Sequence, residues 1–170
     1  MVVFGLAMFA ATPATATSTG VAGPYYATPS WDQTLPANTR FIVLSNMGGQ
    51  GVLDRETGLI WAQSPDSTLR TWQAAMDYCT TLSLGGRLGW RLPTIAELES
   101  LVDPSQTNPP MLPSGHPFNN VHSGWYWSSS TSSGDSSVAW VVYMLGGNVL
   151  PSDKTGSGGY VWPVRGGGGQ

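Results

Sequence analysis

Apolar and polar residues fall along this chain in short blocks whose period changes from one to the next. Phe41-Ile42-Val43-Leu44 is a compact apolar run of strand type. Gly51-Val52-Leu53-Asp54 and Leu59-Ile60-Trp61 are two more, and they bracket Arg55-Glu56-Thr57-Gly58, where Gly58 can take the positive φ that closes a hairpin. From Leu69 the spacing lengthens. Leu69, Trp72, Ala75, Met76, Cys79 and Leu82 recur at steps of three and four, which predicts an amphipathic helix ended by Gly85-Gly86. Thr94-Ile95-Ala96-Glu97 has the form of a capping box, with the Thr94 hydroxyl on the N–H of residue 97 and the Glu97 carboxylate reaching back to that of Thr94. A short helix should follow, carrying Leu98 and Leu101 inward and stopping before Pro104.

Residues 103 to 124 hold Pro104, Pro109, Pro110, Pro113 and Pro117 and show no period, so a long ordered loop is expected there. Trp125-Tyr126-Trp127-Ser128 starts strand structure. Val138 to Met144 alternates, which places Val138, Trp140, Val142 and Met144 on one face and Ala139, Val141 and Tyr143 on the other. Val142 and Met144 are expected in the core, with Val141 and Tyr143 facing out. Leu145-Gly146-Gly147-Asn148 makes a turn, and Tyr160 to Arg165 reads as one last strand whose Pro163 implies an edge or a bulge. The outline is α+β: two helices packed on a small antiparallel sheet with long ordered loops.

The flanks read differently. Val2 to Ala11 is apolar, too short for the roughly 20 residues that span a bilayer, and Ala14-Thr15-Ala16 offers a small-x-small cleavage pattern. Residues 1–16 are therefore expected to be a signal peptide. Residues 1–16 hold no Lys or Arg, so either translation starts upstream or the run is not a signal. Residues 17–39, rich in Thr, Pro, Gly and Ala, read as an arm or linker that Tyr25, Tyr26 and Trp31 could pin to the domain or to a neighbouring chain. The domain is expected over residues 40–166, with a Gly-rich tail at 167–170.

Composition narrows the function classes. Only 17 of the 170 residues are charged, and Gly, Pro, Ser and Thr together fill 70 positions. Eight Trp oppose disorder, because each large ring supplies buried area that a disordered segment lacks. A net charge of −3, a single Lys and scattered Arg argue against nucleic acid. Lone Cys79 excludes an internal disulfide and reads as a small buried apolar residue.

Catalytic arrangements are not evident. His116 and His122 sit in the Pro-rich loop outside any metal-ligand spacing. Ser128-Ser129-Ser130 lacks a nucleophile elbow, and Glu97 and Glu99 point to different faces of a helix. Asp54 and Glu56 could bind Ca²⁺, although turn formation accounts for them. Trp61, Trp72, Trp90, Trp127 and Trp140 are assigned to the core, while Trp125 and Trp162 stay undecided between core and surface. Arg91 is expected to be held by a carboxylate or by loop carbonyls.

Taken in order, Asp54-x3-Gly58-Leu59-Ile60-Trp61, Trp72-x2-Ala75-x2-Tyr78-Cys79-x2-Leu82, Gly86-x3-Trp90-Arg91-Leu92-Pro93-Thr94-x2-Glu97-Leu98-x2-Leu101, Tyr126-Trp127-Ser128-Ser129, Ala139-Trp140 and Val164-Arg165-Gly166 resemble the Lcl C-terminal domain family over about residues 50 to 167. The resemblance implies a C-type-lectin-like fold with a loop-rich ligand surface. Relatives of this kind include adhesive modules that bind sulfated glycans and trimerise, and more distantly formylglycine-generating enzymes. That enzyme chemistry uses a cysteine pair, which Cys79 alone does not provide. The Glu-Pro-Asn and Gln-Pro-Asp triplets of Ca²⁺-dependent lectins are also missing, so neither a metal nor a cofactor is expected.

The last hairpin resembles the variable proteins of diversity-generating retroelements. Residues 139–154 and 160–166 follow the frame Ala-Trp-x-Val-x-Phe-x2-Gly-x-Val-x4-Lys and Tyr-Val-Arg-x-Val-Arg-Gly, with Met144 in place of Phe and Trp162 in place of Arg. The x positions are Val141, Tyr143, Leu145, Gly146, Asn148, Leu150, Pro151, Ser152 and Asp153. The expectation is an exported, non-catalytic binding or adhesion module, secreted or at the cell surface. Its site would comprise Val141, Tyr143, Asn148, Ser152, Asp153, Lys154, Tyr160 and Trp162, and its ligand would be a protein or a glycan, sulfated ones included. The alternatives are a structural subunit of an extracellular trimer or filament and, remotely, an enzyme on the same fold.

Overall fold

The computed structural model describes residues 35–156 and 158–166. The expected signal peptide, most of the arm with Tyr25, Tyr26 and Trp31, and the 167–170 tail lie outside the described residues. The described chain opens on a single helical turn, α1 (Ala37–Arg40), and runs directly into β1 (Phe41–Val43). The predicted hairpin follows as β2 (Gly51–Asp54) and β3 (Ile60–Ala62), with Gly58 at φ 71° in the connection.

The second helix, α2 (Trp72–Thr81), starts three residues later than the apolar period suggests. Thr71 caps it, its hydroxyl accepting from the Ala74 N–H at 3.4 Å. Leu69 instead lies in β4 (Asp66–Arg70), where it is exposed. Its three-residue spacing from Trp72 is a coincidence of two elements meeting at a cap. α3 (Ile95–Glu99) carries both bonds of the predicted capping box, and Leu98 and Leu101 are fully buried.

After the long loop come β5 (Trp125–Thr131), β6 (Val138–Tyr143), β7 (Asn148–Asp153), β8 (Gly159–Val161) and β9 (Val164–Arg165). The strands form two sheets, not one: a four-stranded sheet in the order β1-β2-β3-β9 and a five-stranded sheet in the order β4-β8-β5-β6-β7. All described pairings are antiparallel except β5 with β8. The single terminal strand expected over 160–165 is divided at Trp162-Pro163, so that β8 joins one sheet and β9 the other. Pro163 has no N–H to donate, but its carbonyl accepts from the Ala62 N–H at 2.9 Å, which holds the crossover against β3.

The centre of the five-stranded sheet is covered on both faces. One face packs Tyr126, Val142, Met144 and Trp162 with Trp61, Leu98, Leu101 and Phe118. The other packs Trp127, Ala139, Val141 and Val161 with Ala75 and Cys79 of α2. β6 is therefore buried from both sides, and Val141, expected to face out, is only 1 % exposed. Alternation correctly divides its side chains between two faces; it cannot say that both are inside.

Two arginines tie loops to this frame. Arg40 is buried, donating from Nε and Nη2 to Asp54 at 2.9 and 2.8 Å and to the Ser100 carbonyl at 2.9 Å, with Glu56 3.1 Å from Nε. Asp54 and Glu56 thus serve a guanidinium. Arg91 makes a two-pronged contact with Glu97 at 2.7 Å on each prong and also donates to the carbonyls of Leu92 and Gly166, as its expected structural role requires.

Candidate functional site

Strand register sorts the predicted site residues by face. Trp125 stands opposite Tyr143, and Tyr143 opposite Asn148; Trp127 likewise faces Val141, which faces Leu150. With Ala139 paired to Ser152, these side chains share the face that α2 covers. The cover is incomplete: a groove of about 290 Å³ remains, lined by Trp125, Trp127, Val141, Pro151, Ser152, Gly158 and Gly159. It crosses β8, β5, β6 and β7.

Close approach of β8 shapes one wall. A Cβ on Gly159 would stand 3.0 Å from Trp127 Nε1 and 3.2 Å from the Trp125 carbonyl oxygen. Gly158, at φ +96°, would place one 3.0 Å from the Arg70 carbonyl oxygen. Only glycine fits this pair of positions without displacing backbone. Trp127 Nε1 in turn donates to the Arg70 carbonyl at 2.8 Å, which fixes the indole beneath the groove.

At the open end Trp125 stacks on Tyr143, with ring centroids 4.4 Å apart and planes 19° apart. Trp125 is 43 % exposed, so it presents ring surface to solvent with Tyr143 behind it. Asn148 completes the row on β7 and is exposed, and Ser152 is half-buried along the groove. Among the described residues, neither the Asn148 amide nor the Ser152 hydroxyl is engaged in a hydrogen bond.

The other predicted residues serve different ends. Trp162 is fully buried on the opposite face. Its ring meets Trp61 and Phe118 edge-on, at 5.8 and 5.0 Å, and its Nε1 donates to the Ala62 carbonyl at 2.9 Å. It is a core residue and cannot reach a ligand. Tyr160 also belongs to that face, stacked 4.4 Å from His122. Lys154 lies 4.2 Å above the Trp72 ring and donates to Thr131 Oγ1 and the Ser136 carbonyl, both at 2.8 Å, so its ammonium is spent on joining loops. Asp153 accepts from the hydroxyl and N–H of Thr155 in a local turn, and the hydroxyl bond, with the backbone bond after it, holds its carboxyl below the usual value.

Val141, Tyr143, Asn148 and Ser152 are therefore brought together, while Asp153, Lys154, Tyr160 and Trp162 are not part of the same surface. Of the two tryptophans that sequence reasoning left undecided, Trp162 is core and Trp125 is the exposed ring. Its signal was its place as first residue of a strand, before the sheet becomes covered. Of the other Trp residues assigned to the core, Trp61, Trp90 and Trp127 are buried, whereas Trp72 and Trp140 are half-buried. Cys79 is fully buried, and desolvation pushes its thiol up to about 12. His116 is held below its usual value by burial, and its Nδ1 accepts the Phe118 N–H.

A larger cleft, about 650 Å³, lies between α1 and the 103–114 loop, lined among others by Arg40, Asp103 and Pro113, and contains none of the predicted site residues. No helix among the described residues is long and apolar enough to cross a membrane. Compared with known proteins, the chain matches the family model of the Lcl C-terminal domain over residues 50–165. No curated protein matches it.

Proposed function

The chain belongs to the Lcl C-terminal domain family, and from that premise we propose that it is an exported, non-catalytic binding module that holds a protein or glycan ligand on the Trp125–Tyr143–Asn148 row and the adjoining groove. The observation that carries this reading is the exposed Trp125 ring, propped by Tyr143 on a sheet whose central strands are covered on both faces. A large aromatic side chain left uncovered at the mouth of a preformed groove offers rigid contact area at little entropic cost. The scaffold beneath it does not need to move.

The diversified-surface reading becomes narrower. Tyr143, Leu145, Asn148, Pro151, Ser152 and Asp153 can change without opening the core, but Val141 is buried and Leu150 packs on the α2 side. A template copy differing at adenines under the first set, near a reverse transcriptase gene, would support it. Binding is tested by immobilising the full chain and screening glycans and candidate surface proteins with wild type and Trp125→Ala. Loss of the captured ligand with Trp125→Ala, at unchanged circular dichroism, is expected. Undiminished capture would move the site elsewhere.

A second reading, a subunit of an extracellular assembly, is favoured by β1, an edge strand whose Ile42 and Val43 are 43 % and 41 % exposed. Light scattering would then show a fall in oligomeric mass with Ile42→Lys; a monomeric wild-type chain would end that reading.

A further inference from the structure

The groove has a chemical character that selects among ligands. Resting on the binding-module reading above, we propose that it takes an uncharged oligosaccharide, one unit stacked through its C–H face on Trp125, with hydroxyls met by Ser152 in the groove and by Asn148 beside it, four residues away on β7.

Charge is the first argument. Among the described residues lining the groove, Trp125, Trp127, Val141, Ser152, Gly158 and Gly159 among them, none is ionisable at neutral pH. The nearest cations in sequence to its walls are already committed: Lys154 to Thr131, Ser136 and the Trp72 ring, and Arg70 to Asp66 at 2.7 Å and the Tyr78 ring at 4.3 Å. A sulfated or carboxylated glycan would enter this groove without a counter-charge and would lose its hydration there.

The arrangement of groups is the second argument. A pyranose carries weakly positive C–H groups on one face and hydroxyls around its edge. An indole offers the matching negative face, and a free amide and a free hydroxyl offer both donors and acceptors. Trp125, Asn148 and Ser152 supply these on one sheet face, with Asn148 outside the groove lining and about 13 Å along β7 from Ser152, so the two polar groups meet different sugar units. Size is the third. A stable protein interface covers about 800 Å² per partner around an apolar centre. Here the exposed large apolar residues of this end are Trp125 and Leu145, while Ile42, Val43, Leu69 and Leu88 lie on other elements.

The test compares wild type, Trp125→Ala, Trp125→Phe and Asn148→Ala as full chains on an array of neutral cello-, manno- and galacto-oligosaccharides beside heparin, at low and high NaCl. Expected is binding to a neutral oligosaccharide that salt leaves unchanged, weakened at least about tenfold by Trp125→Ala, and partly restored by Trp125→Phe. Selective, salt-sensitive binding to heparin overturns the neutral class. Binding of a protein but no glycan, lost with Trp125→Ala, overturns the saccharide and keeps the binding face. Neutral-glycan binding that Trp125→Ala leaves intact overturns both.

Discussion

Trp162→Ala and Trp125→Ala separate two tryptophans that sequence reasoning left undecided between core and surface. The Trp162 ring is 0 % exposed, meets Trp61 and Phe118 edge-on, lies 5.4 Å from Tyr126, and donates its N–H to the Ala62 carbonyl. Truncating a buried Trp costs about 3–5 kcal/mol. That range already contains the hydrogen bond, about 1 kcal/mol, and the ring pairs, about 0.5–1.5 kcal/mol each. Against a domain stability of about 5–15 kcal/mol the loss is large, and it lowers the melting temperature by roughly 10–20 °C. Trp162→Phe keeps an aromatic ring and loses the N–H, so it should fall between, at about 1–2 kcal/mol. Trp125, half in solvent, should cost under about 1 kcal/mol as Ala. Urea unfolding followed by far-UV circular dichroism measures all three. A Trp162→Ala chain that melts with wild type, or a Trp125→Ala chain as unstable as Trp162→Ala, would refute the assignment of the first to the core and the second to the surface.

Arg40→Ala leaves Asp54 and Glu56 buried without their guanidinium and should cost about 3–5 kcal/mol in the same assay. Glu97 titrates below its ordinary value of 4.5: burial opposes this, but the Arg91 fork together with the Thr94 backbone and hydroxyl bonds outweighs it. A carboxylate depressed in the folded state stabilises fully above its unfolded value, and that contribution is lost as pH falls through the lower folded value. Thermal melts below pH 4.5 should therefore show an acid limb that Glu97→Gln flattens; an unchanged limb would place the acid sensitivity elsewhere. Cys79, buried and pushed up to about 12 by desolvation, should resist a thiol-labelling reagent at pH 8 in native buffer and react at once in urea. Rapid native labelling would contradict its burial.

The features legible in advance share one property: their causes are local. The Thr94–Glu97 box lies within a single turn and needs no partner from elsewhere. The Gly58 hairpin depends on one positive φ, and Leu98 and Leu101 on helical spacing. The family frame was readable for the related reason that Trp90-Arg91-Leu92-Pro93-Thr94 and Glu97 concentrate a half-buried Arg, its carboxylate and a cap within eight residues. Where the reading failed, the deciding neighbour was distant. Leu69 looked helical because β4 and α2 happen to meet at Thr71. Asp54 and Glu56 were candidates for a cation because Arg40, 14 residues from Asp54, gave no sign in sequence of being their partner.

By itself, then, the sequence determined the family, the two principal helices, most of the strands and which residues of each strand share a face, because periods, caps and turns are set by neighbours along the chain. Only tertiary structure decided which faces are covered. β6 alternates whether one side of its sheet or both are buried, and it took α2 packing over Trp127 and Val141 to turn Val141 from a surface residue into core. The break at Trp162-Pro163 sends the chain from one sheet to the other and buries Trp162 between Trp61 and Phe118, leaving Trp125 as the ring exposed beside the groove. A side chain's exposure belongs to the layers stacked on it, and those come from far along the chain.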